Sequence, residues 1–113
     1  MTSAVERAQT QLRKGVLEYC VLASLRAAPA YGLELATLLG RDRVLLASEG
    51  TLYPLLSRLR TQGLVATTWQ ESTSGPPRRY YELTDDGHAA LDAFTATWQP
   101  FRDAVDSLLE DPR

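Results

Sequence analysis

The chain has 113 residues, 44% of them hydrophobic and 23% charged, the proportions of one folded domain with a modest core. No apolar run approaches the ~20 residues that span a bilayer, and the polar first residues lack a signal-peptide core, so no membrane association is expected and a cytoplasmic location is. One cysteine and one histidine exclude a zinc site assembled from the nitrogen and sulfur ligands of a single chain.

Residues 1–9 read as disordered. Over residues 10–27 the apolar positions Leu12, Val16, Leu17, Cys20, Val21 and Leu25 recur at helical spacing, and Leu22 and Ala23 widen the stripe into that of a well-buried helix. Cys20 within it reads as a buried, inert thiol. Ala28-Pro29 stops this helix. A second helix spans residues 31–40 and closes on Gly40. Residues 41–47 connect, with Val44-Leu45-Leu46 suited to a short strand. Ser48 is a natural N-cap for the third helix and Glu49 suits its first turn. Pro54 falls in that first turn or just beyond, and Gly63 ends the helix.

After Gly63 the period changes from helical to alternating. Residues 64–70 read as a strand rich in β-branched and aromatic residues, residues 72–77 as a turn of Ser, Thr, Gly and two Pro, and residues 78–83 as the returning strand. The result is a hairpin with Arg78 and Arg79 beside its tip. Tyr80 and Tyr81 alternate, so one belongs to the core and the other to the surface. Trp69 reads as packing within the hairpin. Thr84 caps a last helix that reaches about residue 110, with Asp85-Asp86 where the helix dipole favours carboxylates. Its apolar residues Leu91, Phe94, Trp98, Phe101, Val105 and Leu108 form an a/d stripe of the kind that packs along another helix. Pro100 interrupts the stripe and predicts a kink or a break; the unbroken phase beyond it favours the kink. His88 falls on the solvated face and is assigned no role.

The third helix carries the most information. Leu52, Leu55, Leu56 and Leu59 make one apolar stripe. The other face presents Thr51, Tyr53, Ser57, Arg58 and Thr61, with no carboxylate after Glu49. Hydroxyls and guanidinium groups on a carboxylate-free face suit a DNA major groove, where Arg reads guanine or phosphate and hydroxyls reach backbone or base edges. The competing reading is an ordinary amphipathic helix with a solvated face. Charge distribution bears on the choice. The net charge of −2 conceals ten Lys/Arg against six Asp/Glu in residues 1–81, a balance of +4, and two against eight in residues 82–113, a balance of −6. DNA senses the local patch, since distant exposed charges are screened. The predicted fold is mainly α with a small β-hairpin: a winged helix-turn-helix over residues 10–83 and a C-terminal dimerisation helix over residues 84–110. A terminal helix with Phe94, Trp98 and Phe101 on one face is an aggregation liability in a monomer, which predicts a homodimer; packing on the chain's own first helix is the alternative. No nucleophile–base pair, phosphate-cradling loop or converging carboxylate pair points to an enzyme, and no cofactor motif is present.

The motifs Tyr31-Gly32-Leu33, Gly50-Thr51-Leu52-Tyr53-Pro54-Leu55-Leu56 and Gly63-Leu64-Val65, followed by the run from Gly75 through Pro76-Pro77-Arg78-Arg79-Tyr80-Tyr81 to Thr84 and then Gly87, stand in order at family spacing. By them the sequence resembles the PadR family of transcriptional regulators over residues 12–109. Its single C-terminal helix resembles the compact, LmrR-like subfamily. The resemblance implies a homodimer that binds double-stranded DNA at a pseudo-palindromic operator, represses transcription and releases DNA when a small aromatic effector binds. It implies DNA contacts by Thr51, Tyr53, Ser57 and Arg58, phosphate contacts by Tyr31, Ser48 and Lys14, and a wing served by Arg78 and Arg79. It further implies that Trp98 meets its twin across the dimer axis and stacks on flat ligands, beside Phe101 and between walls of Leu12, Gly15 and Tyr19. Tyr19 and Arg102 depart from that subfamily, where smaller or acidic residues stand: Tyr19 narrows the slot and Arg102 disfavours cations. A transcriptional activator, and a winged-helix interaction module without DNA, are the alternatives.

Overall fold

The computed structural model describes residues 3–110. The elements run α1 (Ala4–Ser24), β1 (Ala30–Tyr31), α2 (Gly32–Leu39), α3 (Glu49–Thr61), β2 (Val65–Ser72), β3 (Gly75–Leu83) and α4 (Asp85–Glu110). The three strands form one antiparallel sheet in the order β1-β3-β2. This is a winged helix-turn-helix, mainly helical, with a long C-terminal helix.

The α1 helix starts at Ala4, six residues before the expected start at residue 10. Ser3 is the reason: its Oγ accepts from the Glu6 N–H at 3.0 Å, satisfying a donor that the first helical turn leaves open. A Ser followed three residues later by Glu is a helix-start signature, so the expected disorder is corrected: residues 4–9 are helix and Ser3 is its N-cap; residues 1–2 lie outside the described residues. The far end stops at Ser24, short of Pro29.

The expected strand at Val44-Leu45-Leu46 is absent. A 3-10 turn, Arg41–Arg43, occupies the connector, and Asp42 and Arg43 both have positive φ, 58° and 55°. Two consecutive left-handed residues fold the chain back sharply, and Leu46 drops into the core, 2% exposed. The free edge of β3 is taken instead by β1, where Ala30 pairs with Tyr81 and Tyr31 with Tyr80. Tyr31 therefore ends a strand and begins a helix, and its N–H donates to Glu34 Oε1 at 3.1 Å, the returning half of a capping box.

The α3 helix follows the expected bounds. Leu52, Leu55, Leu56 and Leu59 are all buried, against Leu22, Leu35 and Val65 among others. Its end is a Schellman motif: Leu64 N–H donates to Leu59 O and Gly63 N–H to Arg60 O, both at 3.0 Å, with Gly63 at φ 77°. The turn of the hairpin is tighter than expected. Only Thr73 and Ser74 separate the strands, and Pro76-Pro77 lie within β3. Prolines are tolerated there because the register slips between Gln70 and Ser72, and β1 ends before reaching them.

Thr84 joins wing and C-terminal helix. Its Oγ1 donates to Gly63 O at 2.6 Å and accepts from the Gly87 N–H at 3.0 Å. The first turns of α4 then press on the body: Gly87 sits against the Leu64 carbonyl and Leu91 is 3% exposed. Beyond Phe94 the helix leaves the body and continues unbroken through Pro100 to Glu110, so the break is excluded.

Candidate nucleic-acid interface

On α3, burial of the four leucines forces the intervening positions outward. Gly50, Pro54, Ser57 and Thr61 form the outermost row, all exposed. Pro54 has no N–H, so the Gly50 carbonyl lacks its helical donor and stays open on this row. Tyr53 and Arg58 flank the row on opposite sides. Tyr53 leans on α2, its ring so close that a Cβ added to Gly32 would lie 2.6 Å from Cε1. Arg58 leans toward α1, its guanidinium 4.0 Å from Glu18 Oε2. Thr51 donates to the Ser48 carbonyl at 2.8 Å and lies 3.4 Å from Ser48 Oγ, so both hydroxyls cluster at the start of α3. Glu49 is the single carboxylate on the helix.

The wing arginines are placed by the hairpin register, opposite Gln70 and Trp69 respectively. They stand in the stem of the hairpin, several residues from its turn. Each guanidinium is held over a ring: Arg78 lies 4.4 Å from the Tyr31 centroid and Arg79 5.0 Å from that of Trp69, the geometry of a cation–π contact. Arg79 Nε is buried without a hydrogen-bond partner. Tyr31 in turn meets Tyr80 edge-on at 5.4 Å, while Tyr81 is the core member of the Tyr80–Tyr81 alternation. Tyr31, Tyr53, Arg78 and Arg79 thus converge on one recess of about 250 Å³ between α2, α3 and the wing. Lys14, Thr51 and Arg58 converge on a different cleft of about 460 Å³ between α1 and the start of α3. Ser48 and Ser57 line neither.

The second residue group lies on another side of α1 and along α4. Tyr19 on α1 stacks on Phe94, and Phe94 on Trp98. Trp98, Phe101, Val105, Leu108 and Leu109 are 37–78% exposed, and Leu12 of α1 is exposed too. No atom lies within 4 Å of where a Cβ on Gly15 would stand. Arg102 is 3.9 Å from Asp103 and 3.8 Å from Asp106, so its charge is shared within its own helix.

Two residues, Trp69 and Arg13, have parts that the sequence did not predict. Trp69, expected to pack inside the wing, is 64% exposed and supports Arg79; a two-residue turn at Thr73-Ser74 alone would set it opposite Arg78, and the register shift between Gln70 and Ser72 moves it to Arg79. Arg13 donates from Nε to the Val44 carbonyl at 2.9 Å and from its terminal nitrogen to the Arg43 carbonyl at 2.5 Å, clamping the left-handed connector to α1. No periodicity marks such a contact. Cys20 is half-buried, and burial raises its thiol pKa.

The fold and its carboxylate-poor third helix are those of a winged helix-turn-helix regulator. The model of the PadR-like family of transcriptional regulators matches residues 21–93. A crystal structure of a PadR-family transcriptional regulator from Eggerthella lenta is 41% identical, with 95% of this chain and 93% of that chain covered and a TM-score of 0.79. A PadR-like regulator from Bacillus cereus is 39% identical, with 88% and 96% covered and a TM-score of 0.78. PadR from Bacillus subtilis, solved in complex with operator DNA, is alike in fold at 23% identity and a TM-score of 0.65, over 71% of this chain and 46% of that one. The chain belongs to the PadR-like family of transcriptional regulators.

Proposed function

We propose that the chain is a homodimeric, DNA-binding transcriptional repressor of the cytoplasm that uses no catalytic chemistry. The observation that carries this reading is the row Gly50, Pro54, Ser57 and Thr61 on α3, exposed and flanked by Tyr53 and Arg58, with the wing arginines beside it. In the reading, α3 enters the major groove, Thr51, Tyr53, Ser57 and Arg58 face base edges and backbone, and Tyr31, Ser48 and Lys14 meet phosphates. Arg78 and Arg79 follow the neighbouring backbone or minor groove. Residues 10–83 are the DNA-binding unit and residues 84–110 the dimerisation helix. The exposed stripe of α4 with Leu12 supports the dimer, because a contiguous apolar face of that length calls for a partner. Two copies place two recognition helices about one turn of DNA apart, ~34 Å, on a pseudo-palindromic operator. The half-exposed Trp98, at the end of a stack of rings, supports a flat aromatic effector bound near the dimer axis.

Titration of a DNA duplex at two salt concentrations tests the reading. Phosphate contacts give a logarithmic salt slope of about −0.9 per contact. A dimer with several contacts loses affinity steeply as salt rises. A salt-independent association, or none, would leave a winged-helix module that binds protein.

A further inference from the structure

The cleft between α1 and α3 has the chemistry of a small-molecule site. Its volume, about 460 Å³, lies within the ~300–1,000 Å³ typical of ligand pockets. Leu17 of α1, Leu46 of the connector and Leu55 of α3 make an apolar floor, and Pro54 a side wall. Cations rim it. Lys14 stands on the α1 wall with no ion-pair partner among the described residues, and Arg58 on the α3 wall meets Glu18, the one carboxylate of the lining, only at 4.0 Å. Arg13 holds the connector carbonyls and thereby fixes Leu46 as floor. An apolar floor beneath two under-neutralised cations is complementary to one kind of guest: a flat apolar body bearing a carboxylate.

We propose that this cleft binds an amphipathic organic anion, its ring on Leu17, Leu46 and Leu55 and its carboxylate between Lys14 and Arg58, and that the anion competes with DNA for those two cations. The competition rests on the DNA-binding reading above; the site itself does not. The site is separate from the Trp98 stripe, which lies on α4 and shares no lining residue with it. Because Arg58 lies on the recognition helix, an anion seated beside it removes a phosphate contact without any change of fold.

Naphthoate serves as probe and naphthylmethanol as its uncharged counterpart. With isotope-labelled full-length chain and no DNA, naphthoate should give saturable amide NMR shifts centred on Leu17, Leu46 and Leu55. Lys14→Ala should weaken it roughly fivefold, the scale of one partly exposed ion pair. Glu18→Gln, which releases Arg58, should tighten naphthoate and leave naphthylmethanol unchanged. Shifts confined to the Trp98 neighbourhood, equal affinity for the alcohol, or no saturation overturns the site. In a second arm, a mixed-sequence duplex about three turns long is titrated with the chain, free and naphthoate-saturated. Saturation should lower DNA affinity and flatten the salt slope by about one contact for each of the two cations that meets a phosphate. Equal DNA affinity with and without naphthoate overturns the competition. A chain that binds naphthoate in the cleft but never the duplex keeps the site and refutes the DNA reading.

Discussion

Tyr19 of α1 and Phe94 of α4 stack face to face, ring centroids 4.4 Å apart and planes 11° apart. Trp98 extends the column at 5.6 Å. Tyr19 thereby sets the angle at which α4 leaves the body, and its bulk is spent inside its own chain before any partner is met. Such aromatic pairs contribute ~0.5–1.5 kcal/mol beyond the area they bury. Tyr19→Ala should lower unfolding free energy in urea by at least that amount and weaken self-association, whereas Tyr19→Phe should restore both. Equal stability of the alanine and phenylalanine variants would show that the stack does not hold α4.

The dimer is best tested by cutting α4 where it leaves the body. Truncation after Thr84 removes Leu91, which is core, and would confuse unfolding with dissociation. A chain ending at Thr97 keeps Gly87, Leu91 and Phe94 and loses the exposed stripe from Trp98 onward. Sedimentation should then show a folded monomer, while the full chain sediments as a dimer. A stable dimer from the shortened chain would place the interface elsewhere.

The elements were legible wherever one physical rule decided them. The leucine stripe of α3, Ser48 before it and Gly63 after it predict that helix to within a residue. The a/d stripe of α4 carries its helix through Pro100. Illegible parts were those where a distant partner decides. Nothing local tells that Ala30-Tyr31, not Val44-Leu45-Leu46, takes the free edge of β3, because the choice depends on Asp42 and Arg43 turning the connector away. The hairpin turn read as longer than it is because Pro76-Pro77 look like turn residues, though a bulge at an open edge accommodates them within β3. Site residue types could be read from the face of α3. Their grouping could not, since Tyr53 and Arg58, five positions apart, lean toward different neighbours.

Two glycines separate stability from recognition. A Cβ at Gly87 would overlap the Leu64 carbonyl oxygen, and that carbonyl is fixed by the Thr84 N–H, which donates to it at 3.2 Å. Gly87→Ala should cost ~1–3 kcal/mol as overpacking. A Cβ at Gly32 meets only the end of the Tyr53 ring, which can swing away. Gly32→Ala should melt near the parent yet alter DNA affinity. Thermal unfolding and a duplex titration on both variants check the contrast; similar losses of stability in the two would refute it.

Burial raises the pKa of Cys20. A higher pKa leaves less thiolate at neutral pH, and thiolate is the reactive form. Cys20 should therefore react with a disulfide reagent at pH 8 more slowly than free cysteine, and its rate should keep rising above that pH. A rate equal to free cysteine would mean that α1 opens at this point.

The wing makes the most discriminating test of DNA contact. Arg79 lies over Trp69, with its Nε unpartnered, so the ring orients a cation whose hydrogen-bonding capacity is not used up within the chain. If Arg79 meets a phosphate, Arg79→Ala should reduce the salt slope by about one unit across all sequences. Trp69→Ala keeps the charge and removes only its support, so the slope should persist while affinity falls by the ~0.5–1 kcal/mol of an exposed cation–π contact. Arg58→Ala should behave differently again. On the recognition helix it should cost about 1–3 kcal/mol with relaxed preference at one base position if it reads a base. The three variants lie on exposed or half-buried side chains, so all should fold. Parent-like DNA binding by both arginine variants would refute the assignment of this face, and a slope change in Trp69→Ala equal to that in Arg79→Ala would mean that the ring, not the charge, governs the wing.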